Sequence, residues 1–252
     1  MTIEINLTSI ADNDAPQLVL LFPASGISAL SWIPFGRQLK AYASVYGVDL
    51  SWPAAGQLDK ESITSVATMR EEMATIGKQL ADKIFTLAGQ RKITLIGHCS
   101  GGIYAYEAVN QLPAKTITDL ILIDTLAART RSDDDQYNML SNNEEYTAAV
   151  SYMHSDIFSN VTSVPEMYRE QIYYGALKHM SIASNYLATP VNVAINLLRS
   201  RSYAAELFKP WASLCAEQYY DYPLNIDGKE ILSPGNLARL ARPIIHKLQQ
   251  SI

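Results

Sequence analysis

The ten residues from Ile93 to Gly102, ITLIGHCSGG, constrain this chain more than any other stretch. Ile93, Leu95 and Ile96 favour a strand, Gly97 breaks the run, and the residues after Gly102, IYAYEAVNQL, favour a helix. The expected local structure is strand, sharp turn, helix. The apex residue of such a turn takes a strained conformation, and the chain segments pass so closely that small residues are needed two positions before it and two after. Gly97 and Gly101 meet that need around Cys99, whereas a frame centred on Ser100 puts His98 where a glycine belongs. Cys99 is therefore the candidate reactive residue. The competing reading is a glycine-rich turn that holds a structural cysteine.

The rest of the chain bounds what that residue can belong to. With 252 residues, 48% hydrophobic and 18% charged, the sequence suits one globular domain with a full core and a subsidiary cap. A formal net charge of -5 and no Lys/Arg cluster leave no electrostatic footprint for nucleic acid. No run approaches the ~18 apolar residues of a membrane span, and the start lacks a basic segment followed by an apolar one, so a soluble, cytoplasmic protein is expected. Cys99 and Cys215 are the two cysteines, too few for a disulfide framework. The four histidines, His98, His154, His179 and His246, show no metal-ligand spacing, and no metal is expected. Met1 at the head of a whole domain points to a free-standing protein, monomer or homodimer.

Taken in order, Leu18 to Phe22 reads as a buried strand ending in the turn PASGIS, followed by helical spacing from Trp32 to Tyr42. Ala43 to Leu50 is a second strand, and Ile63 to Ala88 a long amphipathic helix stopped by Gly89. Leu120 to Ile123 is a further apolar strand with Asp124 at its carboxyl end. That is the functional edge of an open alpha/beta sheet, so Asp124 shares a rim with Cys99. An aspartate starting a loop is also a common cap, and both roles stay open.

The strand-helix rhythm breaks from Arg129 to Pro190, too long for a plain connection, and the expectation is a helical lid over 129–190. Within it Tyr168, Ile172, Gly175, His179, Ile182 and Tyr186 recur on one helical face, which either packs on the core or lines an acyl channel. Val191 to Leu198 and Glu217 to Tyr222 regain strand character. A terminal amphipathic helix is expected from Ser233/Pro234 onward, bent at Pro243.

Several of these segments together resemble the thioesterase domains of polyketide and nonribosomal-peptide biosynthesis, members of the alpha/beta-hydrolase superfamily. LVLLFPASGISALSWIPFGRQL is similar to the family's first strand, oxyanion loop and following helix. ITLIGHCSGGIYAYEAVNQL resembles its Gly-His-Ser-x-Gly-Gly elbow with Cys99 in the serine place, and LILIDTL its triad-aspartate strand, with Asp124 as that aspartate. The resemblance implies a mostly parallel central sheet flanked by helices with a helical lid insertion, residues 1–252 forming a single such domain. It also implies an oxyanion hole from the backbone N–H groups of Ala24 and Ser100. The implied substrate is an acyl thioester on the phosphopantetheine arm of an acyl or peptidyl carrier protein, with no bound cofactor.

The C-terminal run DYPLNIDGKEILSPGNLARLARPIIHKL is similar to the segment in which the family reads Gly-Asp-His-x-x-Met-Leu. Matching Ile231-Leu232 to the Met-Leu pair and Asp227 to the aspartate puts Gly228 in the histidine place. His246 lies 18 residues beyond Gly228 (246 - 228), far along the terminal helix and at ~1.5 Å per residue out of reach of the rim. A cysteine suits a site lacking its base, because it is a few per cent thiolate at neutral pH whereas a serine hydroxyl is hardly nucleophilic unaided. Three readings follow. An acyl group passes to Cys99 and then to a nucleophile other than water, giving transfer, release or cyclisation. Alternatively the lid histidine His179 serves as base for ordinary hydrolysis. In the third, the domain is repurposed for binding or non-covalent catalysis.

Overall fold

The computed structural model describes residues 3–51, 66–127, 129–130, 175–176, 178–183 and 185–250. Its frame is a seven-stranded sheet formed by β1 (Glu4–Ala11), β2 (Gln17–Phe22), β3 (Ser44–Ser51), β4 (Lys92–His98), β5 (Ile117–Ile123), β8 (Ile195–Arg199) and β9 (Tyr219–Pro223). The spatial order is β1-β3-β2-β4-β5-β8-β9, antiparallel between β1 and β3 and parallel elsewhere. A separate short parallel pair joins β6 (Arg129–Thr130) to β7 (Leu187–Ala188). Helices α1 (Ile33–Leu39), α2 (Val66–Ala88), α3 (Ser100–Gln111) and α4 (Leu237–Gln250) pack on the sheet.

The apolar runs become the central strands because a parallel sheet covered on both sides must be apolar on both faces. All six residues of β2 are buried. Leu18, Leu20, Ile93, Leu95, Leu120 and Leu122 face α2 and α3. Val19, Leu21, Ile96, Ile121 and Ile123 face Trp32, Phe35 and Leu39 around α1, and Leu240, Ile244 and Leu248 of α4. In α2, Met69, Met73, Ile76, Leu80 and Ile84 form the buried stripe.

Several boundaries differ from expectation. The segment after the first loop begins as a tight helical turn, Ala29–Trp32, before α1, which carries a proline in its first turn and ends at Leu39 rather than Tyr42. The strand expected from Val191 is confined to Ile195–Arg199, with Val191 making a single bridge to Cys215. α4 starts at Leu237, after turns through Ser233 to Asn236, and runs unbroken through Pro243. Other elements were not foreseen, among them the pair β6 and β7, which makes the two ends of the 129–190 stretch strand where a helical lid was expected. β1 alternates buried Ile5 with exposed Glu4 and Asn6 at the sheet edge. Residues Ala205–Leu214 form a tight helix that buries Phe208 and Trp211.

Most of the expected lid, including Tyr168 and Ile172 of its apolar face, lies outside the described residues. The later part of that face, His179, Ile182 and Tyr186, is buried against the body of the protein. Lys178 pairs with Glu72 of α2 at 3.0 Å, and Arg70 Nε donates to the Asn185 carbonyl at 3.3 Å. No described helix is long and apolar enough to cross a membrane.

Candidate active site

Cys99 stands between the end of β4 and the start of α3 with φ 50 and ψ -126, a conformation costly for any residue with a side chain. Its amide donates to the Ile123 carbonyl at 2.8 Å, tying the apex to the neighbouring strand end. The turn closes only because its neighbours lack side chains. A Cβ on Gly97 would stand 2.3 Å from Gly102 Cα, and one on Gly101 would stand 2.2 Å from the Pro23 carbonyl oxygen. Gly102 is bound by the same limit, 2.0 Å from Thr125 Oγ1, and its place directly after Gly101 was the available sequence signal. Helix α3 begins immediately after Cys99, so the first-turn N–H groups and the helix dipole favour a thiolate there.

Ser100 has a defined structural task. Its Oγ accepts a hydrogen bond from the Ser25 amide at 2.8 Å and shares another with Ser25 Oγ at 2.6 Å. These bonds pin the loop containing Ala24 against the first turn of α3, and the Ile27 amide closes a turn onto the Ala24 carbonyl at 3.0 Å. The loop and the elbow are thus held together, although Ser25 went unnoticed in the sequence. A cavity of about 50 Å³ lies between this loop, Leu50, Gly101, Tyr104 and His179.

Asp124 follows β5 with φ 46, the other described non-glycine residue of positive φ. In the parallel register His98 pairs with Ile123, so Cys99 and Asp124 are the next residues on adjacent strands, whose axes lie about 4.8 Å apart. The carboxylate is 2% exposed. Oδ1 accepts from the Ser200 amide at 2.7 Å, whereas Oδ2 is buried and accepts no hydrogen bond among the described residues. Burial raises the carboxyl to about 6, against the lowering influence of Ser200 and Arg199.

Gly228 lies against that carboxylate. A Cβ built on it would be 3.3 Å from Asp124 Oδ2, 3.3 Å from Ser200 Oγ and 3.2 Å from Ser202 Oγ. The Gly228 amide donates to Ser202 Oγ at 2.8 Å, fixing the loop in this position. Ser200 and Ser202 escaped sequence reasoning because isolated serines after a strand give no periodic signal.

The described histidines have partners of their own. His179 Nε2 lies 3.1 Å from the Leu50 carbonyl, which can only accept, so Nε2 carries the proton and Nδ1 accepts from the Tyr104 hydroxyl at 2.7 Å. Burial lowers this imidazole to about 4. His98 packs at 5.6 Å between ring centres against Trp32 and is likewise lowered to about 4 by burial. His246 is exposed on α4 beside Gln250, and His154 lies outside the described residues.

No family model matches this sequence, and no curated protein matches it. Solved structures do match in three dimensions. The RedJ thioesterase from the prodiginine pathway of Streptomyces coelicolor is 14% identical with a TM-score of 0.64, over 93% of this chain and 86% of RedJ. The type II thioesterase BorB from the borrelidin cluster is 15% identical with a TM-score of 0.62, over 97% and 96% of the two chains. SrfTE, the thioesterase domain that cyclises surfactin, is 18% identical with a TM-score of 0.63, over 97% and 95%. At such identities the likeness establishes the fold, and the fold is that of an alpha/beta-hydrolase.

Proposed function

We propose that this protein is a thioesterase-like enzyme of secondary-metabolite biosynthesis that takes an acyl group from a carrier-protein phosphopantetheine thioester onto Cys99. Acylation is a thiol-for-thiol exchange: the Cys99 sulfur bonds to the acyl carbon, the pantetheine C–S bond breaks, and the departing thiolate takes a proton. The Ala24 and Ser100 amides hold the oxyanion, and the helix dipole of α3 favours the Cys99 thiolate. The fold shared with RedJ, BorB and SrfTE supports the substrate class.

The observation that carries this reading is the pairing of a strained cysteine elbow with a glycine against Asp124. In the related family the Gly228 place belongs to a histidine that deprotonates the attacking group. Exchange between thiols needs little help, since a thiolate is already a strong nucleophile. Deacylation by water needs a general base worth ~10²–10⁴-fold. The two requirements favour transfer, release or cyclisation onto an acceptor other than water.

The hydrogen bonds of His179 count against its serving as that base. Turning it toward Cys99 breaks contacts to both Tyr104 and Leu50, worth about 0.5–1.5 kcal/mol each and more if a buried group is left unpaired. The reading is tested by following thiol release from a set of acyl-pantetheine thioesters. Release by the wild type and none by Cys99→Ala is expected, and equal release by both would overturn it.

A further inference from the structure

We infer that the face formed by α1 and α4 is a docking surface for an acidic amphipathic helix of a partner protein. The inference stands apart from the acyl-enzyme reading and adds a partner to it. Residues 15–48 and 231–252 contain no aspartate or glutamate, yet they hold Arg37, Lys40, Arg239, Arg242 and Lys247. Folding brings these two stretches together, because Trp32, Phe35 and Leu39 share a core with Leu240, Ile244 and Leu248. A chain of formal net charge -5 thus presents one face with several cations and no acidic side chain on either helix.

The face is grooved as well as charged. An open groove of about 710 Å³ is lined by Gln38 of α1 and, on α4, by the apolar Ala238, Ala241, Pro243 and Ile245 together with Arg242. From Ala238 to Gln249 it follows α4 for about 16 Å, the length of three helical turns. Arg37, Lys40, Arg239 and Arg242 are exposed, and none of the four enters an ion pair among the described residues. Lys247 is held over the Tyr220 ring at 4.3 Å and adds its charge nearby.

The side chains of this face select the class of partner. The large exposed apolar residues among those described, Leu30 and Phe85, lie off both helices, so nothing here anchors in a bilayer. Neither helix exposes a Phe, Tyr or Trp on which a nucleobase could stack. A helix meets both features: leucine-sized side chains at i, i+3/i+4 and i+7 enter the apolar groove, and carboxylates beside them meet the arginines. Exposed ion pairs contribute little singly, so the groove supplies affinity while the charges choose the partner and its orientation. The surface also lies away from the elbow. Gln17 opens β2, and its Nε2 donates to the Leu248 carbonyl at 2.9 Å, so the far end of α4 sits at the amino edge of the parallel strands. Cys99 and Asp124 stand at the opposite rim. A partner seated on α4 leaves that rim open, which suits tethering of the enzyme rather than delivery of its acyl group.

Fluorescence anisotropy with the full chain tests the inference. The probe is a fluorescein-labelled helical peptide with leucine at the i, i+3/i+4 positions and glutamate elsewhere, and its control carries lysine in place of glutamate. The glutamate peptide is expected to bind saturably and the lysine peptide not to bind. Raising salt from about 0.05 to 0.5 M is expected to weaken binding about tenfold, because the Debye length shortens. Arg239→Glu combined with Arg242→Glu is expected to weaken it by about tenfold or more, and so is Ala238→Trp, which fills the groove without changing its charge. Hydrogen exchange of the wild-type complex needs no variant, and protection on adding the glutamate peptide is expected in α1 and α4. No saturable binding, equal affinity for the two peptides, affinity unaltered by these substitutions, or protection confined to other elements overturns the inference.

Discussion

Asp124 Oδ2 lies 3.3 Å from the point at which a side chain on Gly228 would begin, so the carboxylate of this site faces a backbone rather than a base. Gly228→His puts an imidazole beside that carboxylate, and the atoms that must give way are two serine hydroxyls and one carboxylate oxygen, not backbone. Hydrolysis of the acyl-Cys99 intermediate is expected to rise at least ~10²-fold, the lower end of what a general base supplies. Release of free acid from acylated protein measures it, and an unchanged rate contradicts the geometry assigned to Gly228.

The buried carboxylate also shapes stability against pH. Asp124 is raised to about 6 from 3.8, so between those values the folded state holds a proton that the unfolded state has lost. Its contribution to stability therefore worsens as pH rises through this window and is least favourable above about 6. Asp124→Asn removes that penalty while its amide oxygen still accepts the Ser200 N–H. The variant is expected to be more stable than wild type at pH 7.5 by up to about 3 kcal/mol, with the gap closing toward pH 4. His98 and His179, both lowered to about 4, act oppositely: their contribution is full above 6.5 and lost as pH falls to 4. Because both proteins share that acid loss, the difference between their denaturation curves isolates Asp124.

Ser100 is expected to matter through its hydroxyl as well as its amide. Ser100→Ala removes both bonds to Ser25 and leaves the Ser25 amide without its acceptor, at a cost of about 1–3 kcal/mol. The loop bearing Ala24 then loses its fixed distance from the elbow. Acylation of Cys99 is expected to slow about tenfold at saturating thioester, with little change in half-saturation, as stopped-flow thiol release would record.

Close approach makes a sharper contrast among glycines. Gly101→Ala drives a methyl to 2.2 Å from the Pro23 carbonyl, so backbone must move and a loss of about 1–3 kcal/mol or more is expected. Gly235→Ala meets nothing within 4 Å and is expected to change stability by less than about 0.5 kcal/mol. Urea denaturation of the two variants tests the pair together.

The sequence was most legible where one physical requirement acts on a short stretch. β2, β4 and β5 are apolar on both faces because both faces are covered, and the elbow glycines are spaced by the turn they permit. β1 was missed because an edge strand needs one apolar face, and EINLTSIA alternates too weakly to stand out from a polar start. The surroundings of Asp124 were illegible for another reason. Ser200, whose amide it accepts, is 76 residues away, and only the folded sheet brings that loop and Gly228 to the same rim. His179 stood out as a lid histidine, yet its hydrogen bonds to Tyr104 and Leu50 depend on partners that helical periodicity does not reveal.

The central claim is that Cys99 bears the acyl group, and intact-protein mass spectrometry after brief exposure to an acyl-pantetheine thioester tests it most directly. Wild type is expected to gain the mass of one acyl group, mapped to the peptide containing Cys99, and Cys99→Ala to gain none. An unmodified wild-type protein that still turns the thioester over, or a Cys99→Ala variant that turns it over at the wild-type rate, would contradict the account.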